Sequence, residues 1–161
     1  TYILRVGLLV LPIALVVVIS KEGGWKYGFT FIQNNISVAL FVSFAIGFLV
    51  ALYHALSFEV VGNCPQENYL RSHQKVNVKG NASLETVKAK LEEDKRNKDF
   101  KLNDNVLSFK RGAIFIKPDQ IKVTQNSDTF LVESKPFARF WFIDFARNFK
   151  NVTLLAKLLK Q

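Results

Sequence analysis

The sequence predicts a membrane α-helical hairpin of two transmembrane helices followed by a small α+β domain, with an antiparallel sheet and the element order β-α-β-β-β-β-α. Three observations predict it. The 161 residues carry 22 Lys+Arg against 13 Asp+Glu, a net charge of +9, yet the mean hydropathy is positive at +0.13. The average hides a division: the residues up to Phe58 include only Arg5, Lys21, Glu22 and Lys26 as charged side chains. Beyond Phe58, apolar residues recur at strand and helix spacing between turn signals. With 15 Phe in the chain, this is not a disordered composition. The division gives residues 1–58 as the hairpin (helices about 2–20 and 36–58), 59–74 as a linker and 75–161 as a basic α+β domain.

The first run, Val6 to Ile19, is unbroken and extends from Tyr2 to Ser20. That approaches the roughly 20 residues needed to cross a hydrocarbon core. Pro12 lies inside it, where a membrane bundle can absorb the freed carbonyl as a kink. Arg5 is near one end, where its stem can snorkel. Lys21-Glu22-Gly23-Gly24 and then a second span follow, which favours a hairpin over a cleaved signal peptide.

The second run, Ile36 to Phe58, has no Asp, Glu, Lys or Arg. Ser43, Gly47 and Ala51 recur every four residues, a small-residue stripe that lets another helix approach closely. The stripe is expected to pack on the first helix or on a partner in the membrane. Between the runs, Trp25, Tyr27, Phe29 and Phe31 alternate, and are expected to form an aromatic belt at the headgroups. The loop nets +1 and the later segment is rich in Lys and Arg. The positive-inside asymmetry predicts an inner or cytoplasmic membrane with the C-terminal domain in the cytoplasm.

Gly62 and Pro65 end an extended exit from the second span. Lys75 to Lys79 alternates as a strand. Ser83 is a helix N-cap with Glu85 in the first turn, and Leu84, Val87 and Leu91 predict a helix reaching about Asn97. Strands are then expected at Phe100–Asn103, Val106–Lys110, Ala113–Ile116 continuing past Pro118-Asp119 into Ile121–Thr124, and Thr129–Ser134. Asp104-Asn105, Arg111-Gly112 and Asn126–Asp128 are the turns. After Pro136, Phe137, Trp141, Phe145, Phe149, Val152, Leu155 and Leu159 step by three or four, predicting an amphipathic helix with a break near Asn148–Asn151.

Catalytic signatures are missing: the chain has no P-loop, dinucleotide fingerprint or nucleophile elbow. Cys64 and His73 alone fall short of a zinc site, and no cofactor is expected. His54 is the one histidine in a span; its functional reading is a redox or metal ligand, its plainer reading an interfacial side chain. Asp144 and Arg147, three apart, are expected to pair on the last helix. The basic residues are spread over all elements and the aromatics fall at core spacing, which argues against nucleic acid. Anionic headgroups are the nearer negative surface for a tethered domain.

Phe137 to Phe149 holds five Phe and one Trp. The plainer reading is a core helix. The functional reading puts Phe140, Phe142 and Ile143 on the membrane or a partner, with Arg139 and Arg147 facing headgroups, and Trp25 and Tyr27 as the loop contacts. The order strand–helix–strands–helix is loosely similar to helix-grip folds, which hold apolar ligands between sheet and helix. Three functions are therefore carried forward. The first is a non-catalytic membrane-anchored accessory or assembly subunit, with membrane lipid and a protein partner or oligomer as its contacts. The second is a tethered domain that binds lipid or another hydrophobic ligand, as the helix-grip resemblance implies. The third is a redox or metal subunit using His54.

Overall fold

The computed structural model describes residues 2–21, 26, 28–62, 65–112, 117–138 and 144–160. The chain divides into two compact units, Thr1–Leu56 and Ser57–Gln161.

The first unit holds helix α1 (Tyr2–Lys21) and most of helix α2 (Gly28–Val61). Stretches of both, Ile3–Lys21 and Asn35–Val61, are long and apolar enough to cross a membrane. Helix α1 continues through Pro12. Helix α2 starts eight residues before the expected Ile36 and takes in much of the predicted loop. Its added turns, Gly28 to Asn35, contain no proline to stop a helix. The two helices touch at glycines. A Cβ placed on Gly47 would lie 3.0 Å from the Gly7 amide nitrogen and 3.1 Å from the Ile3 carbonyl oxygen. One placed on Gly7 would meet the Phe44 ring at 2.8 Å. Only residues without a side chain allow backbones this close.

The second unit contains a five-stranded sheet in which every neighbouring pair is antiparallel. Its strands are β1 (Gln74–Lys79), β2 (Asn97–Asn103), β3 (Val106–Arg111), β4 (Asp119–Asn126) and β5 (Thr129–Lys135), ordered β1-β5-β4-β3-β2. Helix α3 (Leu84–Glu92) packs on β2 and β3, and helix α4 (Arg147–Leu159) on β5 and β1. Strand alternation sends Val78, Leu107, Phe109, Ile121, Val123, Phe130 and Val132 into one core. The helices close that core with Leu84, Val87, Leu91, Phe149, Val152, Leu155 and Leu159. Phe58, from the end of α2, stacks on Phe149 at 5.7 Å and belongs to the same core. The space between sheet and α4 is thus filled with side chains.

Several boundaries move for local reasons. Helix α3 ends at Glu92 and not near Asn97, because the Asn97 side chain turns back and its Nδ2 donates to the Leu91 carbonyl at 2.7 Å. Its start is the expected one: Ser83 Oγ accepts from the Thr86 amide at 3.1 Å. Strand β2 begins earlier, at Asn97, and bulges between Lys98 and Lys101 with Asp99 at φ 57°. The expected 113–116 strand lies outside the described residues. Helix α4 begins at Arg147, not after Pro136, and runs unbroken through Asn148–Asn151. The break falls earlier, where Phe145 and Ala146 take left-handed φ of 48° and 57°. Asp144 fixes that turn, its carbonyl accepting from the Arg147 amide and its carboxylate from the Asn148 amide. The expected linker contains an ordered turn. Gln66–Asn68 form a short 3₁₀ helix, Asn68 donates to the Lys75 carbonyl, and buried Gln74 donates to the Asn68 and Arg71 carbonyls.

Gly80 follows β1 where α4 ends. A Cβ there would lie 2.0 Å from the Leu159 carbonyl oxygen, a backbone atom that cannot rotate away. Gly80→Ala is expected to destabilise the second unit by about 3 kcal/mol, read as a lower midpoint in denaturant unfolding of the detergent-solubilised protein.

Candidate functional site

Both helices of the second unit pack against one face of the sheet, so every second strand residue points to the other face. The strand register aligns those residues in rows. One row reads Lys75, Glu133, Lys122, Ser108, Lys101 across β1-β5-β4-β3-β2. The next reads Lys135, Gln120, Lys110, Lys98 across β5-β4-β3-β2, with Asp99 at the bulge. His73 stands just before β1. Apart from Lys98, these residues border a groove of about 820 Å³. Neighbouring strands lie about 4.8 Å apart, so alternate positions of the first row set lysines roughly 10 Å apart.

Two carboxylates partly neutralise this face. Glu133 pairs with Lys75 at 2.5 Å and Asp99 with Lys110 at 2.7 Å. The Lys75 hydrogen bond holds the Glu133 carboxyl below its usual range, and the Lys110 hydrogen bond does the same for Asp99. Lys101, Lys122 and Lys135 make no ion pair among the described residues. His73 is pushed down, by burial first and then by the charge of Lys75, so it favours the neutral form. The basic residues come from every strand, and the register brings five of the lysines, Lys75, Lys101, Lys110, Lys122 and Lys135, to one groove. Each strand contributes one lysine to the groove, so the face appears only once the register joins the strands.

A second cluster lies on the helix side. Asp119, fully buried at the start of β4, accepts from Arg147 Nη2 at 2.6 Å and from Asn151 Nδ2 at 3.2 Å. Asn151 Nδ2 also reaches Ser134 Oγ at 3.2 Å, and Ser134 Oγ donates to Asn148 Oδ1 at 2.6 Å. Asn148 Nδ2 donates to Asp144 Oδ2 at 2.9 Å. Burial pushes Asp119 up, opposed by the Arg147 hydrogen bond and charge, while Asp144's charge adds to the rise. The Ser134 hydroxyl donates to an amide oxygen and not to a base, so the network does not generate a nucleophile. It ties α4 to β4 and β5.

Of the expected site residues, Ser43 and Gly47 are buried, Ala51 is half-buried, and Gly47 is seated on α1. Ser43 Oγ donates to the Leu40 carbonyl of its own helix at 2.9 Å. His54 is buried. Trp25, Tyr27, Arg139, Phe140, Phe142 and Ile143 lie outside the described residues. The Arg147 guanidinium pairs with Asp119, because a buried carboxylate demands a cation, while its side chain stays 30% exposed. No group of three or more His, Cys, Asp or Glu among the described residues could hold a metal ion.

No protein-family model, curated protein or solved structure matches the chain. The reading of function rests on its own residues.

Arg147→Ala leaves Asp119 buried without its cation, at a cost of about 3 kcal/mol at pH 7. Removing Arg147 raises the folded-state pKa of Asp119 further above its unfolded value. The deficit against wild type is therefore largest at neutral pH and shrinks as pH falls through that raised pKa. Urea unfolding of both proteins at pH 7 and at mildly acidic pH measures the difference; a deficit that grows on acidification contradicts the assignment.

Proposed function

We propose that the protein is a non-catalytic, membrane-anchored accessory or assembly subunit. Its two apolar helices form a hairpin in an inner or cytoplasmic membrane, and its α+β domain serves in the cytoplasm as an interaction module for a protein partner or the membrane surface. The observation that carries this reading is the apolar surface of the helices. Leu8, Leu9, Ile13, Val16 and Val17 on α1, and Phe41, Phe48, Leu49 and Leu52 on α2, are all exposed. Water would oppose so large an apolar surface, and hydrocarbon accommodates it. The lysine face supports an interaction role for the domain, since a groove lined by cations that make no ion pair among the described residues suits an anionic counterpart. The filled space between sheet and α4 favours this reading over uptake of a hydrophobic ligand. The redox alternative rests on His54 alone.

The full-length protein is expected to stay in the membrane pellet after alkaline carbonate extraction; release into the supernatant contradicts the anchor. Lys160→Cys in a Cys64→Ser background tests the orientation. A membrane-impermeant maleimide is expected to label it only after cells are broken, and labelling of intact cells contradicts a cytoplasmic domain.

A further inference from the structure

We propose that the lysine face of the second unit is a docking surface for the phosphate headgroups of anionic lipids. The proposal rests on the membrane-anchor reading and names the counterpart of the domain.

The first argument is charge. Five lysines stand against Glu133 and Asp99, which engage Lys75 and Lys110. Glu133 stands across from Lys122 and Asp99 lies two residues from Lys101, but both carboxylates are engaged by Lys75 and Lys110, so Lys101, Lys122 and Lys135, which make no ion pair among the described residues, are left to attract an external anion.

The second is the kind of cation. Among the described residues, the groove is lined by lysine and by no arginine. Lysine acts as a point charge on a flexible stem, suited to phosphates whose positions vary. A protein partner would call for a buried aromatic or Arg anchor. Single-stranded nucleic acid would call for exposed rings to stack on. Phe109 and Ile121 border the groove, but their side chains are 3% and 2% exposed and belong to the core. Phe100 is stacked on Phe109.

The third is position along the strands. The row beyond the two lysine rows, Asn77, Leu131, Thr124, Val106 and Asn103, has no charge. The row after that carries Lys79 alone, so most of the positive charge gathers at the end of the sheet where β1 begins. Only the residues from Gly62 to His73 separate that end of β1 from the last residue of α2. Chain length alone keeps it within about 40 Å of the end of an apolar helix. An anionic leaflet is the negative surface that this tether supplies at high effective concentration.

The test uses full-length protein reconstituted into vesicles of phosphatidylcholine alone, or with about 30% phosphatidylglycerol, and reads lysine acetylation by mass spectrometry. Acetylation of Lys101, Lys122 and Lys135 is expected to slow about threefold or more in the anionic vesicles, while Lys157 and Lys95 are unchanged. Salt at about 0.5 M is expected to abolish the protection. Equal acetylation in both vesicles overturns the proposal, as does protection that survives salt. Protection by soluble polyglutamate, with none from phosphatidylglycerol, overturns it in favour of an acidic protein. Protein that floats with both vesicles without selective protection leaves the membrane anchor standing and removes only headgroup docking; protein that floats with neither removes the anchor.

Discussion

Two short helices have to close the core of a five-stranded sheet, and both pack against the same face of it. That one-sidedness governs the second unit. It fixes which strand residues are apolar, since each strand alternates and only one face can be dry. It fixes where Phe58 and Phe149 meet, because the helix layer supplies the other half of the core. It also leaves a face that must be soluble, and the sequence fills it with lysine. A sheet with a solvated face would otherwise offer a flat surface for unwanted association; like charges repel a second copy.

The helix layer is held in place by polar contacts as well as by apolar packing. Asp119, Ser134, Asn148, Asn151 and Arg147 connect β4 and β5 to α4 through short hydrogen bonds. Burying Asp119 is costly, and the cost is tolerable because Arg147 and Asn151 both serve it. Hydrophobic contacts alone would let α4 slide or rotate; directional bonds to fixed strand positions select one placement. In the first unit the corresponding device is steric, the approach of Gly7 and Gly47.

Much of this architecture was legible in the sequence. The apolar runs are long and nearly free of charge, so their helical state was plain. Asp104-Asn105 and Ser127-Asp128 are turns, as their side chains suggest. The start of α3 followed from Ser83. What escaped depends on contacts distant in the chain. Asn97 ends α3 by a bond to Leu91 across a turn that helix periodicity does not encode. The left-handed residues Phe145 and Ala146 interrupt the helical spacing just before α4, with no glycine to announce them. Arg147 finds Asp119, 28 positions away, a partner that helix spacing does not indicate. The lysine face emerges from four registers at once, and charge counted element by element hides it.

The central claim is that the sheet has one dry face and one open, basic face. Single cysteines at adjacent β4 positions test it most directly, in full-length detergent-solubilised protein carrying Cys64→Ser. Lys122→Cys is expected to react with a maleimide at about the rate of an exposed thiol, and Val123→Cys, whose native side chain is 0% exposed, at least about tenfold more slowly until denaturant is added. Equal rates in the folded protein, or a slower Lys122→Cys, would contradict the account.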